Sequence, residues 1–295
     1  MLVLTHKSEF EVQGTKNKMR KSLLNSLKKN PSASFAAGVI IFISLSAILG
    51  PIFYPVSPVS VDLESIKLPP SLNHPLGTDS KGRDILSRIL WGARLSLGIS
   101  LGAALGSIGI GIFLGVISGY FGGKIDAIIM MLTDLTLAFP SLLLAIAITI
   151  VLPPGTLTVI IALSLIGWAP FARLIRSLTI VQKELMFIEA SRAIGCSNWQ
   201  IIMFHLLPNS ISTILVALSL KMGSFILAEA ALSFLGLGVQ PPTPTWGGMI
   251  SLNRIYLYSA PWMIIFPGIA IAMTTFAFNL LGDFLRDYLD PHLKF

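Results

Sequence analysis

"LGISLGAALGSIGIGIFLGVISG", residues 97–119, contains no charged side chain and is long enough to cross the hydrocarbon core of a bilayer as one helix. Its glycines recur at every fourth position in two runs: Gly98, Gly102 and Gly106, then Gly111, Gly115 and Gly119. Small residues at this spacing let two helix backbones approach closely in lipid. The stretch predicts a membrane helix that packs tightly on another helix. Because such motifs are common in membrane spans, packing within the chain is favoured over a homodimer contact.

The composition indicates an integral membrane protein. Of 295 residues, 54% are hydrophobic and only 12% are charged, and the mean hydropathy is +0.79. A soluble domain carries about 25% charged residues. The net charge of +7 raises the question of nucleic-acid binding. We set that class aside because much of the charge lies in a basic N-terminal tail, which suits an anionic membrane surface.

Hydrophobic runs predict an all-α polytopic membrane protein with six transmembrane helices. The predicted spans are 35–54, 94–118, 127–151, 157–176, 210–235 and 261–281. A polar, basic tail over 1–33 precedes one membrane domain over 34–295. The first span is interpreted as retained rather than as a cleaved signal, because no small-residue cleavage site follows it. Residues 55–92 form a proline-containing loop on one side, and residues 177–208 form a loop on the other.

Lysine and arginine positions predict the orientation. With the N-terminus inside the cell, the inner segments carry most of these residues, as the positive-inside rule requires. Both termini are therefore expected in the cytoplasm of a cell-membrane protein, with 55–92 extracytoplasmic and 177–208 cytoplasmic. The single cysteine, Cys196, allows no internal disulfide and suggests a reducing environment for its loop.

The cytoplasmic loop contains the most polar part of the apolar region, "EASRAIGCSNWQIIMFHLLPN" (189–209). Helix-forming residues up to 194 precede Gly195, which suits the left-handed position past a helix end. Ser197 and Gln200 have the spacing of a capping box that starts a second helix. Pro208 is expected to end that helix. Its predicted apolar stripe consists of Trp199, Ile202, Met203 and Leu206.

These residues predict a helix–turn–helix elbow with an apolar face. That face needs a partner, and the residues alone leave two interpretations open. The elbow packs on the inner ends of this chain's own spans, or it binds a separate cytoplasmic protein.

The order Glu189-Ala190-Ser191, Gly195 and Leu207-Pro208 resembles the EAA…G…LP loop of permease subunits of ABC importers. Ser191 and His205 depart mildly from that pattern. Three further boxes are similar to the second permease of dipeptide, oligopeptide and nickel importers. They are "HPLGTDSKGRDILSRILWGARLSLG" (74–98), "LSFLGLGVQPPTPTWGGMI" (232–250) and "FNLLGDFLRDYLDP" (278–291).

The resemblance implies a type I ABC importer permease fold and a transport subunit rather than an enzyme. It implies a homologous second permease, two ATPase subunits that carry ATP and Mg²⁺, and an extracytoplasmic binding protein. The expected cargo is a di- or oligopeptide, with nickel or metal chelates and glutathione-like solutes as alternatives. The resemblance also implies that this chain contacts the ATPase subunits through a coupling loop. Its residues are Glu189, Ala190, Ser191, Gly195, Ser197, Leu207 and Pro208.

Motifs for chemistry within this chain are missing. "SGYFGGKID" (118–126) lacks the first glycine of a phosphate-binding loop and the Ser or Thr that would follow Lys124. Scattered His and a single Cys show no metal-ligand spacing, so no cofactor or metal site is expected. A stand-alone channel or secondary transporter is the remaining alternative. It predicts an inverted repeat and broken helices, and the sequence shows neither clearly.

Away from the ends of the predicted spans, the charged residues are Asp134, Lys221 and Glu229. Charges at membrane depth are costly and mark either structural pairs or a transport path. Lys221 and Glu229 are eight residues apart, which predicts one shared helix face. Glu229 is favoured as structural. For Lys221 both a structural pair and a contact with a substrate carboxylate remain open.

Overall fold

A computed structural model of the protein describes residues 26–289, so residues 1–25 of the predicted tail and residues 290–295 lie outside the described residues. Residues 26–29 are helical, and the first long helix follows from residue 31, inside the predicted tail. In chain order the helices are α1 (Pro31–Phe53), α2 (Ile85–Phe121), α3 (Gly123–Ala138), α4 (Ser141–Val151), α5 (Thr156–Lys183), α6 (Met186–Ala193), α7 (Asn198–Ile201), α8 (Leu207–Phe234), α9 (Trp246–Asn253) and α10 (Trp262–Leu289).

Within residues 26–289, five helical segments are long and apolar enough to cross a membrane: α1, α2, α5, the continuous segment Asn198–Phe234, and α10. The pair α3 and α4 makes a sixth when it is counted as one span with a 94° bend. Within residues 26–289 there is no strand beyond one isolated bridge, Thr78 with Asp84. The predicted all-α membrane architecture is confirmed.

Helices α2 and α5 pack very closely on each other. A Cβ atom on Gly111 would lie 2.4 Å from the Cβ of Phe171, and one on Gly115 would lie 2.6 Å from the carbonyl oxygen of Ala172. The two backbones therefore touch at positions where only glycine fits. The prediction that the glycine runs pack within the chain is confirmed for every glycine of the two runs except Gly98, which has no neighbouring atom within 4 Å.

Helix α2 begins at Ile85, nine residues before the predicted span, so the preceding loop is shorter than predicted. Asp84 caps the helix by accepting a hydrogen bond from the Ser87 N–H at 2.8 Å. The charged residues around the start of α2 are buried in an ion-pair cluster. Asp79 Oδ2 lies 2.7 Å from Arg83 Nη2 and 3.6 Å from Arg88 Nε. Pairing offsets part of the cost of burying these charges.

The predicted continuous third span is wrong, because the chain bends between α3 and α4 at Phe139 and Pro140. Pro140 has no N–H to donate, and a residue before proline avoids the helical region. Phe139 accordingly has φ −87° and ψ 142°. The fold thus contains a broken helix that the sequence did not reveal.

The prediction that Pro208 ends the elbow's second helix is also wrong. Helix α7 passes through a π-helical turn, Ile202–Leu206, directly into α8. The Leu207 N–H bonds to the Ile202 carbonyl, five residues back. A π turn is a common way to fit an irregularity into a continuous helix, and here it places Pro208 in the first turn of α8, where a missing N–H is tolerated.

A short helix, α9, that was not predicted lies in the segment between α8 and α10. Gly247 packs so closely on α8 that a Cβ atom there would lie 2.3 Å from the Ala230 carbonyl oxygen. The Trp246 indole N–H donates to the Ile89 carbonyl at 3.1 Å. These contacts fasten the segment to both α8 and α2.

Replacing Gly115 by Ala should destabilise the protein, because its methyl group would overlap the Ala172 carbonyl. Overpacking of a close contact costs about 1–3 kcal/mol. Gly98→Ala is the matched control, since no atom lies within 4 Å of its would-be Cβ. Thermal unfolding in detergent should show a lower Tm for Gly115→Ala alone. Equal effects of the two changes would contradict the close α2–α5 contact.

Candidate functional site

The elbow, defined here as residues 186–208, turns at Gly195. Its φ of +89° lies in the left-handed region that glycine adopts without strain. The Gly195 N–H donates to the Arg192 carbonyl and the Cys196 N–H to the Ser191 carbonyl, both at 3.0 Å. This is the helix-ending geometry that the sequence predicted.

The predicted capping box is present at the start of α7. The Ser197 N–H donates to Gln200 Oε1 at 2.8 Å, and the Gln200 N–H donates to Ser197 Oγ at 3.3 Å. These two backbone N–H groups at the helix start would otherwise need water, and here each has a side-chain acceptor nearby. Both turns of the elbow are therefore fixed by their own sequence.

One side of the elbow is buried against the membrane helices. Ile188, Ile201, Ile202 and Leu206 belong to one apolar cluster with Phe171, Ile175, Ile108 and Val116 of α5 and α2. The predicted stripe is only half right, because Ile202 and Leu206 are buried whereas Trp199 and Met203 are exposed. The π turn changes the helical period between Trp199 and Leu206, so α-helical spacing misplaced these side chains.

The opposite side of the elbow is apolar but has no partner within residues 26–289. We call it the elbow surface, and its exposed large side chains are Met186, Phe187, Ile194, Trp199, Met203 and Phe204. Glu189, Ala190 and Arg192 are also exposed, whereas Ser191 is buried and donates to the Phe187 carbonyl at 2.7 Å. Several exposed large apolar side chains on one short segment, with charged residues among them, are typical of a protein-interaction site.

Tyr120, at the end of α2, ties the elbow to the membrane helices. Its hydroxyl donates to Asn198 Oδ1 at 2.8 Å, and the Arg192 guanidinium lies 5.7 Å from the centre of its ring. One aromatic side chain thus contacts both arms of the elbow. Sequence reasoning missed it, because Tyr120 and Asn198 are 78 residues apart and carry no pairing signal.

His205, an exception to the family pattern, lies in the π turn. Its ring packs edge-to-face on Phe187 with centroids 6.5 Å apart, and its carbonyl accepts a hydrogen bond from Asn209 Nδ2 at 2.8 Å. A second link joins Gln182 Nε2 to Ser210 Oγ at 3.0 Å. Leu207 and Pro208 lie between these contacts. The elbow is therefore braced against the start of α8 as well as against α2.

The three intramembrane charges do not form one site. Glu229 is 0% exposed and accepts a hydrogen bond from Ser233 Oγ at 2.7 Å, while Lys221 is half-buried and lines a cavity. Lys221 lines that cavity and Glu229 does not, so the two side chains have different surroundings although they are eight residues apart on one helix. Asp134 Oδ1 lies 2.5 Å from Arg173 Nη2, and both side chains are more than half exposed.

A stronger ion pair, missed from sequence, lies at the end of α3 nearest the elbow. Arg176 of α5 donates to both carboxylate oxygens of Asp126, at 2.5 and 2.6 Å. Bidentate pairing of this kind is geometrically specific. It fixes α3 to α5 immediately after the α2–α3 turn.

No group of three or more His, Cys, Asp or Glu residues suited to a metal ion occurs in the part of the chain that the structure describes. The geometry offers two functional elements instead. They are the elbow surface and the cavity beside Lys221.

Comparisons with known proteins agree with this arrangement. Residues 111–295 match the family model described as binding-protein-dependent transport system inner membrane component, and residues 19–70 match that for the N-terminal TM domain of oligopeptide transport permease C. A glutathione transport system permease protein of Pectobacterium atrosepticum is 46% identical over 79% of this chain and 77% of its own length. A dipeptide transport system permease protein of Alkalihalophilus pseudofirmus is 43% identical over 91% of this chain and 88% of its own.

Among solved structures, an inward-facing MetNI methionine ABC transporter shares the fold. Its TM-score is 0.54 at 18% identity, covering 68% of this chain and 95% of that chain. The similarity is one of helix arrangement.

Removing the Tyr120 side chain should loosen the elbow. Cys196, the only cysteine, is partly buried beside the turn and reports its opening. Tyr120→Ala should raise the rate at which a maleimide labels Cys196 severalfold, and Tyr120→Phe should have a smaller effect because it loses only the bond to Asn198. Tyr258→Ala, at a fully exposed site in another segment, is the control. Unchanged labelling in Tyr120→Ala would show that the tyrosine does not brace the elbow.

Proposed function

The chain belongs to the family of binding-protein-dependent transport system inner membrane components, and we propose that its elbow couples ATP hydrolysis on partner subunits to solute import. It is a multi-pass inner-membrane transport subunit of an ABC importer, and members of this family work with a partner permease and ATPases. The residues proposed to form this coupling loop are Glu189, Ala190, Ser191, Gly195, Ser197, Leu207 and Pro208.

The observation that carries this proposal is the two-sided character of the elbow. One side packs on α2 and α5, and the elbow surface on the other side is apolar and uncovered within residues 26–289. An ATPase subunit that binds the elbow surface would move an element already tied to two membrane helices. For coupling to follow, the elbow must interact with different energy in the two nucleotide states of that subunit.

A route from the elbow to the interior of the membrane domain runs along α5. Phe171 and Ile175 pack on the elbow's buried side, and one turn further along α5 Gly167 and Pro170 line the cavity beside Lys221. A shift of the elbow would therefore move the part of α5 that lines the cavity. Because packed interfaces deform in discrete steps rather than continuously, this connection suits a switch between two arrangements.

The assembly we propose contains a homologous second permease, two ATPase subunits that hold ATP and Mg²⁺, and an extracytoplasmic binding protein. This chain would hold no cofactor of its own. Proposed cargo is a di- or oligopeptide, supported by the 43% identity to a dipeptide permease. A glutathione-like solute is the second candidate, supported by the 46% identity to a glutathione permease. Nickel or metal chelates are a third candidate cargo, which only the sequence resemblance supports.

Gly195→Pro and Glu189→Arg should abolish ATP-driven uptake while leaving the amount of protein in the membrane unchanged. Proline cannot adopt the φ of +89° at the turn, and arginine reverses the charge on the elbow surface. Matched controls are Gly195→Asn, since asparagine tolerates left-handed backbone, and Glu189→Gln, which removes charge without reversing it. Uptake assays and co-purification of the ATPase subunits provide the measurements. If both disruptive variants transport normally, the coupling assignment is wrong.

The proposed orientation places both termini and the elbow in the cytoplasm. Because Cys196 is the only cysteine, its labelling reports one side of the membrane. A membrane-impermeant maleimide should label the protein in inside-out vesicles and leave it unlabelled in intact cells. Ile194→Cys in a Cys196→Ser chain, produced without the ATPase subunits that are proposed to cover this surface, repeats the test at a more exposed site. Labelling from outside intact cells would reverse the proposed orientation.

A further inference from the structure

Lys221 stands apart from the other charged side chains of the membrane helices. It lies near the middle of α8, and within residues 26–289 its ammonium group has neither a carboxylate within ion-pair distance nor a hydrogen-bond acceptor. By contrast, Asp126 and Asp134 both pair with arginines of α5, and Glu229 is bonded to Ser233. An unpaired charge at membrane depth is costly and is retained where it contacts water, an ion or a substrate.

The side chain lines a cavity of about 360 Å³ at the break between α3 and α4. That volume lies within the range of small-ligand sites. The polar wall is formed by Lys221, Ser224, Ser141 and Thr136, and aromatic rings of Phe139 and Phe225 form part of the apolar wall. No aspartate or glutamate lines it, so the wall carries a positive charge without a compensating negative one.

The break adds to this positive character. Helix α4 starts at Ser141 without a side-chain cap, and Ser141 and Leu142 at its first turn line the same cavity as Lys221. Free N–H groups at a helix start carry partial positive charge and favour anions. In transporters built from discontinuous helices, such ends point towards anionic groups of the substrate.

We propose that Lys221, supported by Ser224 and by the start of α4, forms a carboxylate-binding subsite within the translocation path. This inference rests on the proposed function, because it assigns the cavity to the path of the importer. The cargo it accepts is a solute with a free carboxylate, such as a peptide or a glutathione-like molecule. A bare divalent cation would be repelled by the same cavity, since Lys221 has no acidic neighbour to offset it.

The first test measures the charge of the cavity in the assembled complex, independently of transport. A Cys196→Ser, Ser224→Cys chain places a thiol in the cavity wall one helical turn from Lys221. We compare its reaction rates with an anionic and with a neutral methanethiosulfonate reagent. The ratio of anionic to neutral rates should fall roughly threefold to tenfold on Lys221→Met and stay unchanged on Lys221→Arg.

A ratio that does not respond to Lys221→Met would overturn the proposal. That result is also the one expected if a carboxylate of the partner permease neutralises Lys221. The neutral reagent controls for access, and Lys221→Arg controls for any change of packing, because it keeps the charge on a long side chain.

The second test measures initial uptake of labelled dialanine and of glutathione by the complex with its binding protein. Lys221→Met should lower the maximal rate for the transported probe at least tenfold, and Lys221→Arg should retain most of it. ATPase subunits should still co-purify, because the elbow is untouched. Wild-type uptake in Lys221→Met would overturn the subsite while leaving the importer assignment intact. If the unmodified complex lacks ATPase subunits or transports without ATP, the proposed function is refuted instead. The labelling rates of the Ser224→Cys chain would still measure the charge of the cavity.

Discussion

Close packing of α2 on α5 is the contact on which the rest of the structure depends. In a bilayer there is no hydrophobic gain from pressing one apolar helix on another, so association relies on close van der Waals contact and hydrogen bonds. Glycines at 111 and 115 let the α2 backbone approach Phe171 and Ala172 of α5. Ser164 Oγ of α5 also donates to the Ala103 carbonyl at 3.3 Å. Both helices are long enough to cross a membrane; together they hold the elbow, and α5 also forms one wall of the Lys221 cavity.

At one end the pair carries the elbow. The apolar cluster of α2 and α5 continues without interruption into Ile188, Ile201 and Leu206, and Tyr120 extends from the last turn of α2 to both arms. Asp126 and Arg176 hold α3 to α5 at the same level. A force on the elbow surface is therefore applied to three helices together. An elbow attached only by flexible chain would transmit nothing, which is why its buried side matters as much as its exposed one.

Helix α5 of this pair also forms a wall of the Lys221 cavity, through Leu163, Gly167 and Pro170. The opposite wall is irregular, because Pro140 divides the third span into two helices at 94°. The cavity brings Lys221, Ser141 and Ser224 together among the membrane-spanning helices. Irregular backbone at this depth is tolerated where it lines a cavity or is buried in protein. The broken helix is therefore no argument for a stand-alone secondary transporter, since one such break also fits an importer subunit.

The sequence by itself determined what depends on neighbours along the chain. Hydrophobic runs specified the membrane helices, Gly195 and the Ser197–Gln200 box specified the elbow, and the order of motifs specified the family. Only the tertiary structure decided what depends on distant neighbours. Burial of Arg83 and Arg88 against Asp79 starts α2 nine residues early, and the π turn carries the helix past Pro208. The different surroundings of Lys221 and Glu229 likewise follow from which helices pack beside α8. A local sequence pattern indicates which secondary structure a residue prefers. The cost of burying a charge depends instead on which residues surround it in the folded chain, and the linear sequence does not give these neighbours.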